Sequence, residues 1–127
     1  MQREVILTDL APTPIGNYSQ AIKCGKTVYL SGQIAINPQT REPHDTTIED
    51  EIHQVFANLR EVARASGGSL AHVVKLTVYL TDLAHSSAMN RIMAEYFVSP
   101  YPARAAIGIA SLPNGFRIEA EAILVLD

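Results

Sequence analysis

The sequence holds one cysteine, Cys24, and no tryptophan. A single thiol excludes an intrachain disulfide and fits a reducing compartment. No Gly-rich phosphate loop, Cys-x-x-Cys, His-Glu-x-x-His or Gly-x-Ser-x-Gly occurs, so the familiar signatures of nucleotide, zinc and serine-nucleophile chemistry are missing. Positive charge is scarce as well: the formal net charge is −3 and no Lys/Arg block or stripe appears. The attraction to phosphate that opens most nucleic-acid binding is therefore not advertised. The apolar segments are too interrupted to span a bilayer, and the stretch from Met1 to Asp9 lacks the apolar centre of a signal peptide. A soluble, cytoplasmic protein without a membrane or nucleic-acid partner is the expectation.

What is present is ordinary globular composition: 127 residues, 47% hydrophobic and 18% charged, enough for one domain over residues 1–127 with its own core. Arg3 to Thr8 reads as a short strand, ended by the two prolines of Ala11-Pro-Thr-Pro-Ile-Gly16. Tyr18 to Lys23 and Lys26 to Ser31 flank Cys24-Gly25, which suits a tight hairpin. Asn37 to Pro43 reads as a turn and loop. Thr46 with Glu49 predicts a capping box at a helix start. Ile48, Ile52, Val55, Phe56, Leu59, Val62 and Ala63 continue it as an apolar stripe, and Gly67-Gly68 ends it.

His72 to Thr81 alternates as a strand should, with Val74, Leu76, Val78 and Leu80 set against Lys75, Thr77 and Tyr79. A second helix is expected from about Ser86, with Met89, Ile92, Met93, Tyr96 and Phe97 on one side and Pro100 and Pro102 stopping it. Ala103 to Ala110 and Phe116 to Leu126 are the closing strands, joined through Leu112-Pro-Asn-Gly115. Two amphipathic helices and one sheet predict a two-layer α+β domain. In the last strand Ile118, Ala120, Ala122 and Leu124 form one side, while Ile123 and Val125 join Arg117, Glu119 and Glu121 on the other. A sheet face that is partly apolar and uncovered points to subunit association.

The four histidines (His44, His53, His72, His85) are scattered, which suits solvated or packing roles better than a metal site. Cys24 sits at a predicted hairpin turn with no neighbouring His or helix start, which argues against a nucleophilic role. Arg104 differs, lying in the small apolar run Pro102-Ala-Arg-Ala-Ala-Ile-Gly-Ile-Ala110. Its same-parity neighbours Ala106, Gly108 and Ala110 predict a side with little bulk. Two readings compete: a surface arginine near a strand end or paired to Glu119 or Glu121 in the next strand, or a planar fork receiving a carboxylate. Glu119 is either one of three solvated charges on its strand face or a carboxylate that positions a water. For Tyr18, Ser31 and Gly32 the choice is between a plain strand-end turn and a backbone kept open for a ligand.

Taken together, Ile15-Gly-x-Tyr18-Ser-Gln, Ser31-Gly-Gln-Ile, Val74-Lys-x-Thr-Val-Tyr-Leu-Thr-Asp-Leu83, Asn90, Tyr96-Phe97, Tyr101-Pro-Ala-Arg-Ala-Ala-Ile, Leu112-Pro113 and Ile118-Glu-Ala-Glu-Ala-Ile123 resemble the RidA (YjgF-type) family of reactive-intermediate enamine/imine deaminases. The resemblance covers nearly the whole chain. It implies a chorismate-mutase-like α+β fold: a six-stranded, mostly antiparallel sheet with two helices on one face, assembled as a homotrimer with clefts between subunits. It further implies hydrolysis of 2-aminoacrylate, 2-iminobutanoate and similar 2-imino acids to 2-keto acids and ammonia, without metal or organic cofactor. Pyridoxal-phosphate-dependent dehydratases would supply the substrate. By motif position Arg104 would clamp the substrate carboxylate and Glu119 would position water. Tyr18, Ser31, Gly32, Asn90, Ala106 and Pro113 would shape the cleft. The chain departs from the family pattern at Ala106, where many members carry cysteine, and at Asn17, where they carry proline. Two other functions compete: a module that binds or senses 2-keto acids without turnover, and the ribonuclease activity attached to some relatives, which the acidic balance makes unattractive.

Overall fold

The computed structural model describes residues 2–127. The strands are β1 (Glu4–Ile6), β2 (Ala21–Cys24), β3 (Thr27–Gln33), β4 (Val73–Leu80), β5 (Ala103–Gly108) and β6 (Ile118–Val125), and the helices are α1 (Ile48–Ala65) and α2 (Ser86–Met93). The strands form one sheet in the order β1-β2-β3-β6-β4-β5. All neighbours are antiparallel except β4 and β5, which run parallel, so the sheet is mixed. The expected α+β architecture is present, and β5 and β6 are separated by β4.

Local chemistry accounts for most boundaries. Gly25 takes φ +62 between β2 and β3, a conformation that a side chain at this turn would resist. The cap of α1 is Thr47 rather than Thr46: its hydroxyl accepts from the Asp50 N–H at 3.0 Å. The threonine–acid spacing fits either residue equally, and only backbone geometry separates them. Glu49, Asp50 and Glu51 then place negative charge at the positive end of the helix dipole. At the other end Gly67 adopts φ +95, and the Gly68 N–H reaches the Ala63 carbonyl at 3.1 Å.

The second helix is shorter than the proline signal predicts, ending at Met93 rather than near Pro100. Tyr96 and Phe97 follow it in turns that still bond back to the Met93 carbonyl. Phe97 is nonetheless buried, its ring set edge-on to Phe56 with centroids 5.9 Å apart. Tertiary aromatic packing therefore holds this segment after helical hydrogen bonding stops.

The core lies between the sheet and both helices. Val28, Leu30, Leu76, Val78, Leu80, Ile118 and Leu124 meet Ile52, Val55, Phe56 and Leu59 of α1, with Met89, Ile92 and Met93 of α2. Each large apolar side chain buried in this way stabilises the fold by about 1.5–3 kcal/mol. The opposite sheet face carries no helix and exposes Val5, Tyr29, Ile107 and Val125 beside its polar residues. Arg117 leaves this face, against the strand-parity expectation. It lies just before β6 and turns to the fully buried Glu51, with Nε 2.7 Å from Oε1. Glu51 also accepts from the Arg117 and Ile118 backbone N–H groups. This fixes the entry to β6 against the first turn of α1.

Candidate active site

Arg104 stands on the edge strand β5, in register with Leu76 of β4, whose side chain is buried under the helices. The arginine therefore projects toward the helical layer. Its Nη1 donates to Asn90 Oδ1 at 2.8 Å and lies 3.4 Å from Met93 Sδ, both on α2. Among the described residues no carboxylate pairs with it, and its Nε and other terminal nitrogen have no partner. The alternative pairing with Glu119 or Glu121 is ruled out, because β4 intervenes and both carboxylates face the other way. The open space beside the guanidinium is a cavity of about 420 Å³ lined by Asn90, Met93, Ala94, Tyr101, Pro102 and Arg104. Its walls come from α2 and the approach to β5, not from the same-parity small residues. Ala106 keeps Arg104's parity, exposed at the level of Val78.

Glu119 belongs to the helix-free face. It sits half-buried on β6 opposite Tyr79 of β4. On its other side β3 carries a bulge: Leu30 pairs with Ala122 and Gln33 with Ala120, so Ser31 and Gly32 together oppose one residue, Glu121. The bulge brings the Gly32 backbone against Glu119. A Cβ at position 32 would fall 2.8 Å from Glu119 Cδ and closer still to Oε2. A side chain at position 32 would have to push the end of the Glu119 side chain aside. Burial, and secondarily the charge of Glu121, hold the Glu119 carboxyl above the usual carboxylate range. No hydrogen bond from another described residue reaches its oxygens.

The remaining expected residues gather mainly on this second side. The Ser31 hydroxyl donates to the Ser19 carbonyl at 2.5 Å, so its role here is to fasten the bulge. Tyr18 is exposed and, with Ile15 and Gly32, lines a shallow cleft. Pro113 starts the short 3-10 turn Pro113–Gly115 that leads into β6, and its side chain is exposed.

Four contributors were not singled out from sequence. Gln20, almost fully buried, bonds Thr8, Ala11 and Pro12, thereby holding the segment that precedes Tyr18. Glu51 and Asn58 are buried on α1 between its apolar positions, where polar residues inside the stripe were the available signal. Tyr79 donates its hydroxyl to the Glu121 carboxylate beside Glu119. Among the described residues no three His, Cys, Asp or Glu side chains converge as a metal site. His53 Nδ1 lies 2.8 Å from the Tyr96 hydroxyl.

Arg104 and Glu119 are thus brought into two different places. They lie two strands and three registers apart, roughly 14 Å between backbones by ordinary sheet spacings, and on opposite faces. A small substrate cannot touch both within one chain.

Comparison with known proteins gives this geometry a family. The family model described as endoribonuclease L-PSP matches residues 8–126. A 2-iminobutanoate/2-iminopropanoate deaminase from Dermatophagoides farinae is 45% identical over 125 residues, covering 98% of both chains. The crystal structure of RidA from the Antarctic bacterium Psychrobacter sp. PAMC 21119 superposes with a TM-score of 0.93 at 44% identity, covering 97% of this chain and 99% of that one. TdcF from E. coli, solved with bound serine, has a TM-score of 0.91 at 33% identity, with 98% and 99% covered. With nearly its whole length matched, the chain belongs to the RidA/YjgF family, the one that carries the endoribonuclease L-PSP description.

Proposed function

We propose that this protein is an enamine/imine deaminase that hydrolyses small 2-imino acids, such as 2-iminobutanoate and the imine tautomer of 2-aminoacrylate, to 2-keto acids and ammonia. The observation that carries this reading is the state of Arg104. Neutral acceptors, Asn90 Oδ1 and Met93 Sδ, hold one corner of the guanidinium, so its charge is not spent on a protein carboxylate. Arg104 also lines a cavity with Asn90, Met93 and Tyr101. A planar fork presented in this way suits a substrate carboxylate. The deaminase name of the Dermatophagoides relative and the serine, itself a small amino acid, bound in TdcF agree with that chemistry.

The second requirement is a water at the imine carbon. Glu119, half-buried and free of protein hydrogen bonds, is suited to hold one and accept its proton. Water adds to C2, forming a carbon–oxygen bond while the imine nitrogen takes up the electron pair and a proton. The resulting carbinolamine expels ammonia and leaves the 2-keto acid. An imine is already electrophilic, so positioning and a placed water suffice without a metal or organic cofactor.

Because Arg104 and Glu119 face apart within one chain, the reading places the reaction between copies. The Arg104 side of one subunit would meet the Glu119 side of the next in a homotrimer whose exposed sheet faces cover one another. Tyr18, Ser31, Gly32 and Pro113 accompany Glu119 in this arrangement; Asn90 and Ala106 accompany Arg104. A chorismate-mutase-like trimer, a cytoplasmic setting and supply of substrate by pyridoxal-phosphate-dependent dehydratases complete the proposal. No described helix is long and apolar enough to cross a membrane.

The test couples the protein to a threonine or serine dehydratase and follows keto-acid release. Wild type is expected to accelerate release, and Arg104→Ala to abolish the gain. Unaltered release with wild type, alongside Arg104-dependent binding of 2-keto acids by calorimetry, would replace catalysis with a sensing role.

A further inference from the structure

The open face beside Glu119 carries a second carboxylate that the proposed reaction does not use. Glu121 lies two residues along β6, on the same face. Tyr79, directly across from Glu119, does not bond to it. Its hydroxyl crosses diagonally and donates to Glu121 Oε1. This leaves two carboxylates side by side, one held by a phenol and the other without a protein donor. Diagonal cross-strand pairs of this kind are within reach of a tyrosine side chain.

Resting on the deaminase reading, we propose that Tyr79 and Glu121 are positioning residues for Glu119. Tyr79 pins the Glu121 carboxylate beside it, and that fixed like charge keeps Glu119 ready to take and return a proton at the water. Without the tyrosine, Glu121 would be free to turn to solvent.

The surroundings favour this arrangement. Toward Glu119, β3 presents only the Gly32 backbone and the Ser31 hydroxyl, the latter committed to Ser19. The nearest cation on β4 is Lys75, at the register of Ile123, beyond Glu121 and exposed. Tyr29 of β3 also stands at Ile123, and β5 places only Ala103, Ala105 and Ile107 on this face. Arg117 is removed to Glu51. Among these described groups no cation faces Glu119 to offset Glu121. The pair is also electrostatically felt at the phenol: the hydrogen bond it donates to Glu121, then burial, push Tyr79 up to about 12. Glu119 is raised by burial first and by Glu121 second.

The experiment compares wild type, Glu121→Gln, Tyr79→Phe and the double variant. Two readings are taken, the pH profile of kcat/KM in the dehydratase-coupled assay and a carbon-13 NMR titration of the Glu119 carboxyl. Lowering pH protonates Glu119 and removes its ability to accept the water's proton, so the acid limb should follow Glu119. Removing the Glu121 charge makes Glu119 easier to ionise. Glu121→Gln should therefore move the acid limb and the Glu119 titration to lower pH. On that limb it should retain about threefold more of its plateau kcat/KM than wild type does. Tyr79→Phe should move both in the same direction but less, and should add nothing in the Glu121→Gln background. A Glu119 titration that stays put in Glu121→Gln overturns the proposal whether or not the protein is active. An unaccelerated wild-type assay with a moved titration instead overturns the deaminase reading alone. A loss of assembly or stability without movement of either curve would assign the pair a structural role.

Discussion

The two halves of the candidate site are built in contrasting ways. The Arg104 half stands on an edge strand whose residues are almost all exposed, and its guanidinium is steadied by side chains of α2. The Glu119 half lies on β6, flanked on both sides by paired strands, with its entry fastened by the buried Glu51. The first half offers a charge that no described carboxylate takes up, on an exposed edge of the sheet. The second offers a carboxyl whose proton affinity depends on fixed neighbours, and it lies in the more constrained part of the sheet. Binding an anion tolerates some movement of a long side chain, whereas handing a proton to or from one water does not. The proposed division of labour follows this difference in setting.

Removing Arg104 should have the largest effect. Arg104→Ala is expected to lower kcat/KM by about 100-fold or more, the worth of a charge-assisted bidentate contact, without loss of melting temperature. Arg104→Lys should recover the charge but not the fork, and a variant as active as wild type would show that the planar geometry is unimportant. Glu119→Gln comes next, with kcat reduced about 100-fold and KM little altered. Its stability gives a second check of the sign. A carboxyl raised by burial is carried most easily when neutral, so its ionisation costs the folded state as pH rises through the raised pKa. Glu119→Gln should accordingly melt no lower than wild type at pH 7, and a clear drop would mean that the charge is supporting the fold.

Gly32→Ala should act through Glu119 alone. Its new methyl group displaces the carboxylate, and kcat should fall by about tenfold at unchanged KM. The smallest effect is expected for Asn90→Ala, which frees the Arg104 fork to wander. A rise in KM of several-fold with kcat preserved would place Asn90 in the binding half, as proposed; a fall in kcat alone would move it to the other.

The fold was largely legible because its signals are local. Alternation in Leu76 to Leu80, the stripe from Ile52 to Val62 and the Cys24-Gly25 turn each appear as the elements they predict, whereas a register shift between Val73 and Lys75 leaves Val74 exposed and buries Val73 in its place. The errors arose where distant contacts decide. Phe97 suggested a longer α2 because its burial against Phe56 mimics helical periodicity. Arg117 kept its strand parity in the sequence but was drawn off the face by Glu51, a partner 66 residues away. The site was legible as a set of residues and not as a geometry. Nothing in the spacing of Arg104 and Glu119 reveals that β4 enters between their strands, a crossover that turns apparent neighbours into groups on opposite faces. Gly32 was recognised as a place for close approach, while the group that approaches it within the chain is Glu119.

That separation supplies the most direct test of the central claim. Arg104→Ala and Glu119→Gln chains, each inactive alone, can be co-expressed in equal amounts, with native mass spectrometry confirming mixed assemblies. If each site takes its arginine from one copy and its glutamate from the next, random assembly gives an intact arginine and an intact glutamate at about one site in four (½ × ½). The mixture should then regain about a quarter of wild-type activity. Mixed assemblies that regain none would show that both residues serve from the same chain, and would contradict a site completed between copies.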